Sequence, residues 1–112
     1  MLFRSLSNNP PKVAFNGFFA EGYELQPGSD AEAVLGRAHA HATGRELESF
    51  MTAGYLDTRV YALYNRIPAL CYGPISKNIH AFDEAVDIAS LKRITVAMAL
   101  FVAEWCGLET IA

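Results

Sequence analysis

Cysteine is scarce: Cys71 and Cys106 are the two in 112 residues, they lie far apart, and both fall in apolar segments. That rules out a disulfide framework and a C-x-x-C motif, and it fits reduced thiols in a core and a cytoplasmic setting. Positive charge is thin as well. The nine Lys and Arg are scattered, and the formal net charge is −3, so the chain offers no basic stripe to a phosphate backbone and nucleic acid is not an expected partner. Long hydrophobic runs are missing too. The most apolar segment, Ile94 to Trp105, is too short to cross a bilayer and contains Glu104, so it reads as a core helix, with no membrane partner expected. Met1 to Ser7 lacks the continuous apolar stretch of a signal peptide, and Asn8-Asn9-Pro10-Pro11 then breaks regular structure. No internal repeat or low-complexity tract is visible.

What the sequence does contain is globular material: 52% hydrophobic against 19% charged residues, in a length that suits one compact unit. Val13-Ala14-Phe15 and Phe18 to Leu25 are rich in aromatic and β-branched residues and read as strand, with Gly17 between them marking a bulge. Pro27-Gly28 ends that stretch. Ser29-Asp30-Ala31-Glu32 then has capping-box form and predicts a helix running roughly to Thr43, with Val34, Leu35, Ala38 and Ala42 as its apolar stripe and Gly44 just past its end.

Arg45 to Phe50 alternates like a short strand entering the loop Thr52-Ala53-Gly54. A second helix follows, with Asp57 at its start and Val60, Leu63 and Tyr64 on one face. Ala69-Leu70-Cys71-Tyr72, bounded by Pro68 and Gly73-Pro74, reads as a strand buried on both faces. After an irregular stretch from Gly73 to Asp87, Leu91, Ile94, Met98, Phe101, Val102 and Trp105 recur at helical spacing up to Gly107. The expected organisation is a strand arm over residues 1 to 26, then an α/β unit over residues 27 to 112.

The segment Gly73-Pro74-Ile75-Ser76-Lys77-Asn78-Ile79-His80-Ala81-Phe82-Asp83-Glu84 places one histidine and two acids in a loop beyond the C-terminal end of a buried strand. Open α/β sheets bind ligands at that position. A neutral imidazole is a good zinc donor, and a nearby carboxylate can orient the ring. On spacing alone, a lone loop histidine is more often a hydrogen-bonding residue than a ligand, since structural zinc takes four. His39 and His41 sit two apart on the first helix, about 200° apart around it, and cannot share a metal; both read as exposed helix residues. Tyr61, Tyr64 and Tyr72 read as core.

Ala20-Glu21-Gly22-Tyr23-Glu24-Leu25, then Gly54-Tyr55-Leu56-Asp57-Thr58-Arg59, then Tyr72-Gly73-Pro74 with Asn78 to Glu84, resemble in order and spacing successive landmarks of the dinuclear zinc deacylases. That family includes acetylornithine deacetylase, succinyl-diaminopimelate desuccinylase, aminoacylase and carboxypeptidase G, and the likeness covers about Val13 to Gly107. It implies the C-terminal part of an α/β/α zinc-peptidase-like catalytic domain, strand-helix-strand-helix-strand-helix, with the arm as the last strand of a lid domain.

The resemblance makes His80 a ligand to one zinc of a pair, in a site where cobalt can substitute. It gives Glu84 a part in fixing that loop or orienting the ligand, and it makes Thr52, Gly54, Arg59 and Asn78 candidate contacts to an N-acyl amino acid. Asp57 either belongs to that setting or caps the second helix, with the cap favoured, and Asn78 can equally serve the turn. The family's other ligands, a His-x-Asp motif, a bridging Asp, a Glu-Glu pair and a further acid, lie N-terminal to this region, as does the catalytic glutamate. None of them is found here, so no catalytic residue is assigned.

The implied activity of the complete protein is removal of the acyl group from an N-acyl amino acid. Alternatives are a related deacylase or dipeptidase with another substrate, such as succinyl-diaminopimelate, and a non-catalytic fragment that covers its apolar surfaces by self-association, with or without domain exchange.

Overall fold

The computed structural model describes residues 12–111. Residues 1–11, and with them the first part of the expected arm, lie outside the described residues.

Ser29 caps the first helix as its sequence requires. Its hydroxyl accepts from the backbone N–H of Glu32 at 3.2 Å, and helix α1 runs over Asp30–Thr43. The reciprocal bond is displaced by one residue: the Glu32 carboxylate accepts from Gly28 N at 2.8 Å. Gly44 ends α1 in the left-handed region (φ 71°), and its N–H donates to Ala40 O at 2.8 Å. A side chain there would be strained, which is why glycine sits at this stop.

A second, short helix α2 spans Thr58–Leu63, with Asp57 at the N-cap position. The expected side-chain cap is not made. Asp57 has helical backbone angles (φ −66°, ψ −18°) and its carboxylate accepts no capping bond, because a cap requires an extended residue that turns its side chain back over the first turn.

The stretch from Gly73 to Asp87, expected to be irregular, holds two short strands, β1 (Ser76–Lys77) and β2 (Ala85–Val86), antiparallel, with Ser76 opposite Val86 and Lys77 opposite Ala85. The hairpin is fastened at its base. Asp87 N donates to Ile75 O at 2.9 Å, and Ile75 N donates to the buried Ser90 hydroxyl at 3.0 Å. Asp87 also caps the last helix, α3 (Ile88–Cys106), by accepting from Ser90 N. One Asp-x-x-Ser segment therefore both starts a helix and closes a hairpin.

Helices α1 and α3 pack together. Val34, Leu35 and Ala38 of α1 are buried, and Ala97 of α3 is fully so. The small side chains at Ala38 and Ala97 allow close approach of the two backbones. Arg37 forms an ion pair with Glu104 across the rim. Both side chains are largely exposed, so the pair contributes at most about 1 kcal/mol. No helix of the described residues is long and apolar enough to cross a membrane.

Three expected strands do not form. Residues 12–26, including Val13 to Leu25 with no bulge at Gly17, are extended but unpaired, as are Arg45 to Phe50 and Ala69 to Tyr72. A strand exists only through a neighbour's N–H and C=O groups, and among the described residues no backbone ladder reaches these segments. Ala69 to Ile75 still carries the mark of a strand: Leu70, Tyr72 and Pro74 are half-buried while Cys71, Gly73 and Ile75 are exposed.

The cysteines depart from expectation for the same reason, since both Cys71 and Cys106 are free and exposed. Tyr61 and Tyr64 are exposed rather than core. The radius of gyration is 19.4 Å, against about 13 Å for a compact chain of 100 residues. Phe15, Phe82 and Ile111 are at least 95% exposed.

Candidate functional site

His80 stands on the Asn78–Glu84 loop that joins β1 to β2. The loop is tight: Ala81 N donates to Asn78 O at 2.8 Å and the Asn78 amide donates to Asp83 O at 3.4 Å. Three of its residues lie in the left-handed region, Asn78 (φ 55°), His80 (φ 63°) and Asp83 (φ 57°). These are the non-glycine types that tolerate that region best. The backbone therefore projects the loop outward, and the His80 side chain is exposed and has no hydrogen-bond partner among the described residues. Glu84 is exposed beside it and makes no bond to the ring.

The other expected site residues sit on a separate loop. Thr52 Oγ1 accepts from Gly54 N at 3.2 Å, a local turn that shapes the segment. Arg59, on the first turn of α2, donates from Nε to Glu21 O at 3.0 Å. Its guanidinium lies 5.8 Å from the Tyr55 ring and 5.9 Å from the Tyr64 ring, a cation–π arrangement between two aromatic faces. Phe18 meets Tyr55 edge-on with centroids 5.4 Å apart. Beneath this cluster Tyr23 Oη donates to Thr58 Oγ1 at 2.8 Å and also lies 3.3 Å from Ala69 O. Thr52, Gly54, Asp57 and Arg59 thus fall on the segment that leads into and begins α2, and Asn78, His80 and Glu84 on the hairpin loop. Among the described residues no hydrogen bond joins the two groups.

Whether these side chains fit a zinc pair is a question of donor count. Among the described residues no three His, Cys, Asp or Glu side chains gather to hold a metal ion. One imidazole cannot replace the three or four protein ligands that zinc takes, so the residues described here do not by themselves form a dinuclear centre. Two open clefts lie between α1 and α3 near His41, and between Tyr23 and Pro68; neither is lined by His80 or Arg59.

One contact went unread in the sequence. His39 is half-buried, not exposed, and its Nδ1 lies 2.7 Å from Tyr72 Oη with the rings edge-on. With the imidazole proton on Nε2, Nδ1 accepts from the phenol. Burial pushes the Tyr72 phenol above its ordinary value. The pair ties the extended segment that leads to the His80 hairpin onto α1. Its sequence signal is that His39 follows Leu35 of the α1 apolar stripe by four residues and so lies on the margin of that stripe.

No family model matches the sequence. Among curated proteins, the chain is 32% identical over 88 residues to the N-formyl-4-amino-5-aminomethyl-2-methylpyrimidine deformylase of Halalkalibacterium halodurans. That stretch is 78% of this chain and 20% of the deformylase, so the chain spans about a fifth of the relative's length. Wherever such a stretch begins, in a chain of 112 residues it takes in residues 26 to 87, and with them α1, α2 and the His80 loop. The likeness supports a broad kinship with amide-cleaving deacylases, and it does not single out acetylornithine deacetylase.

Proposed function

We propose that this chain is part of a zinc-dependent amidohydrolase that removes the acyl group from an N-acyl amino acid, and that His80 is its contribution to the metal site. The observation that carries the reading is the position of His80. It is the exposed histidine of a hairpin loop whose backbone is held in an uncommon conformation at three residues, and it lies within the stretch shared with a deformylase. Residues in such conformations cost about 1–3 kcal/mol each where the side chain does not tolerate them, and they cluster at functional sites.

Arg59 is the group that would receive the carboxylate of the substrate, since its guanidinium keeps donors beyond the Nε bond to Glu21 O; Thr52 and Gly54 are the further candidate contacts. Asn78 holds the hairpin loop through its bond to Asp83 O. The acyl-amino-acid substrate of the reading is acetylornithine or a relative such as succinyl-diaminopimelate. The proposed fold of the complete protein is an α/β/α zinc-peptidase domain in which residues 69 to 75 become a paired strand.

Zinc, when bound, supplies the activation of water; the remaining ligands come from polypeptide other than residues 12–111. The chain alone is therefore expected to show neither stoichiometric zinc nor turnover of acetylornithine, with or without added zinc or cobalt. Bound-metal analysis and an amidase assay on the purified chain check this. A monomer that binds two zinc ions and turns over would overturn the division of the site.

A further inference from the structure

The His80 hairpin is attached to the helix pair through side chains, at two places. At its base stands the buried Ser90, in the first turn of α3, whose hydroxyl accepts from Ile75 N at 3.0 Å and donates to Asp87 O at 2.7 Å. Ile75 precedes β1 and Asp87 follows β2, so one hydroxyl holds both legs of the hairpin. The second attachment lies three residues upstream, where the Tyr72 phenol meets Nδ1 of His39 on α1 at 2.7 Å. Three residues of extended chain span about 10 Å.

A body held at one point pivots about it. Ser90 alone would leave the hairpin free to swing on its base and to carry His80, at the far end of the loop, with it. A functional side chain has to sit within about 0.5 Å of its working place, so such a swing would spoil a metal ligand. Helices α1 and α3 pack together, and attachments to both belong to one frame. We propose that His39 and Tyr72 are positioning residues for His80: their bond is the second attachment, and it sets the direction in which the hairpin points. The proposal rests on the zinc reading for what His80 does once it is placed.

The device depends on a hydrogen bond rather than on packing. With the imidazole proton on Nε2, the phenol donates to Nδ1, and such a bond holds its two atoms in distance and direction, whereas an apolar contact lets surfaces slide. Breaking it would leave a half-buried hydroxyl without a partner. Any acceptor at the place of Nδ1 meets the need. The carboxamide oxygen of asparagine falls there, at a helix propensity close to that of histidine, while leucine supplies bulk and no acceptor.

Spin labels on Ala33→Cys of α1 and Ala81→Cys of the loop, both exposed positions, read the direction of the hairpin as a distance distribution in the full Cys71→Ser/Cys106→Ser chain. Ala33→Cys with the exposed Ala99→Cys of α3 is the control for the helix pair. No metal enters the measurement, so its failure is separate from a failure of the zinc reading, which zinc content tests. A single narrow loop distance is expected with His39 and with His39→Asn. It is expected to be lost in Tyr72→Phe and in His39→Leu, with the control distance kept throughout. A narrow loop distance surviving in Tyr72→Phe, a His39→Asn chain that behaves as His39→Leu does, or loss of the control distance together with the loop distance in Tyr72→Phe would each overturn the proposal.

Discussion

Tyr72 shows how a residue can matter here without belonging to the metal loop. Its phenol is held above the ordinary value by burial and bonded to His39. The folded state therefore retains the neutral phenol more strongly than the unfolded chain does. The stability this supplies is complete below the unfolded value of about 10 and is lost as pH rises through the higher folded value. Tyr72→Phe is expected to flatten the alkaline limb of stability and to remove amplitude above the ordinary phenol range from an ultraviolet absorbance titration. If the amplitude lost belongs instead to the range of an ordinary phenol, Tyr72 is not set apart by burial. His80 itself was legible only through its neighbours in sequence. A lone histidine in a loop has a bland reading, and its left-handed backbone, shared with Asn78 and Asp83, cannot be seen in residue order.

At the level of elements, helix ends are where the sequence spoke most clearly, because caps are local chemistry. Ser29 and Gly44 bound α1 as their side chains require. Ser29→Ala is expected to cost about 1 kcal/mol, and Gly44→Ala about 1–2 kcal/mol because alanine resists the left-handed region; thermal melts by circular dichroism check both. Leu35→Ala removes one of the few buried side chains between α1 and α3, and about 2–3 kcal/mol of stability should go with it, read as a lower urea midpoint.

Strands fared worse for a physical reason. Helices satisfy their own backbones, whereas Phe18 to Leu25 and Ala69 to Tyr72 need partners from distant chain, so their composition announced burial without saying where the neighbour is. The short hairpin at Ser76–Lys77 and Ala85–Val86 escaped notice because its strands are two residues each and rest on Asp87 and Ser90 more than on their own pattern. The α3 stripe read from sequence merged two faces: Ile94 and Phe101 turn toward α1, while Leu91, Met98, Val102 and Trp105 turn away.

Taken whole, the molecule is a pair of packed helices with a hairpin and extended segments whose apolar side chains are open, spread over 74 × 35 × 24 Å. Such a chain gains little from burial by itself, and its proposed chemistry is likewise partial. Arg59 stands on α2 and His80 on the hairpin loop, with no metal cluster among the described residues. The composition announced a core, but only a few residues of one are closed among residues 12–111. The most direct test replaces the matching 88-residue stretch of the H. halodurans deformylase with that of this chain and measures bound zinc and deformylase turnover, with and without His80→Ala. The expected result is a metal-loaded, active chimera whose His80→Ala form loses zinc and turnover while keeping its circular dichroism. Equal zinc and equal turnover in the two forms would contradict the assignment of His80 as a ligand.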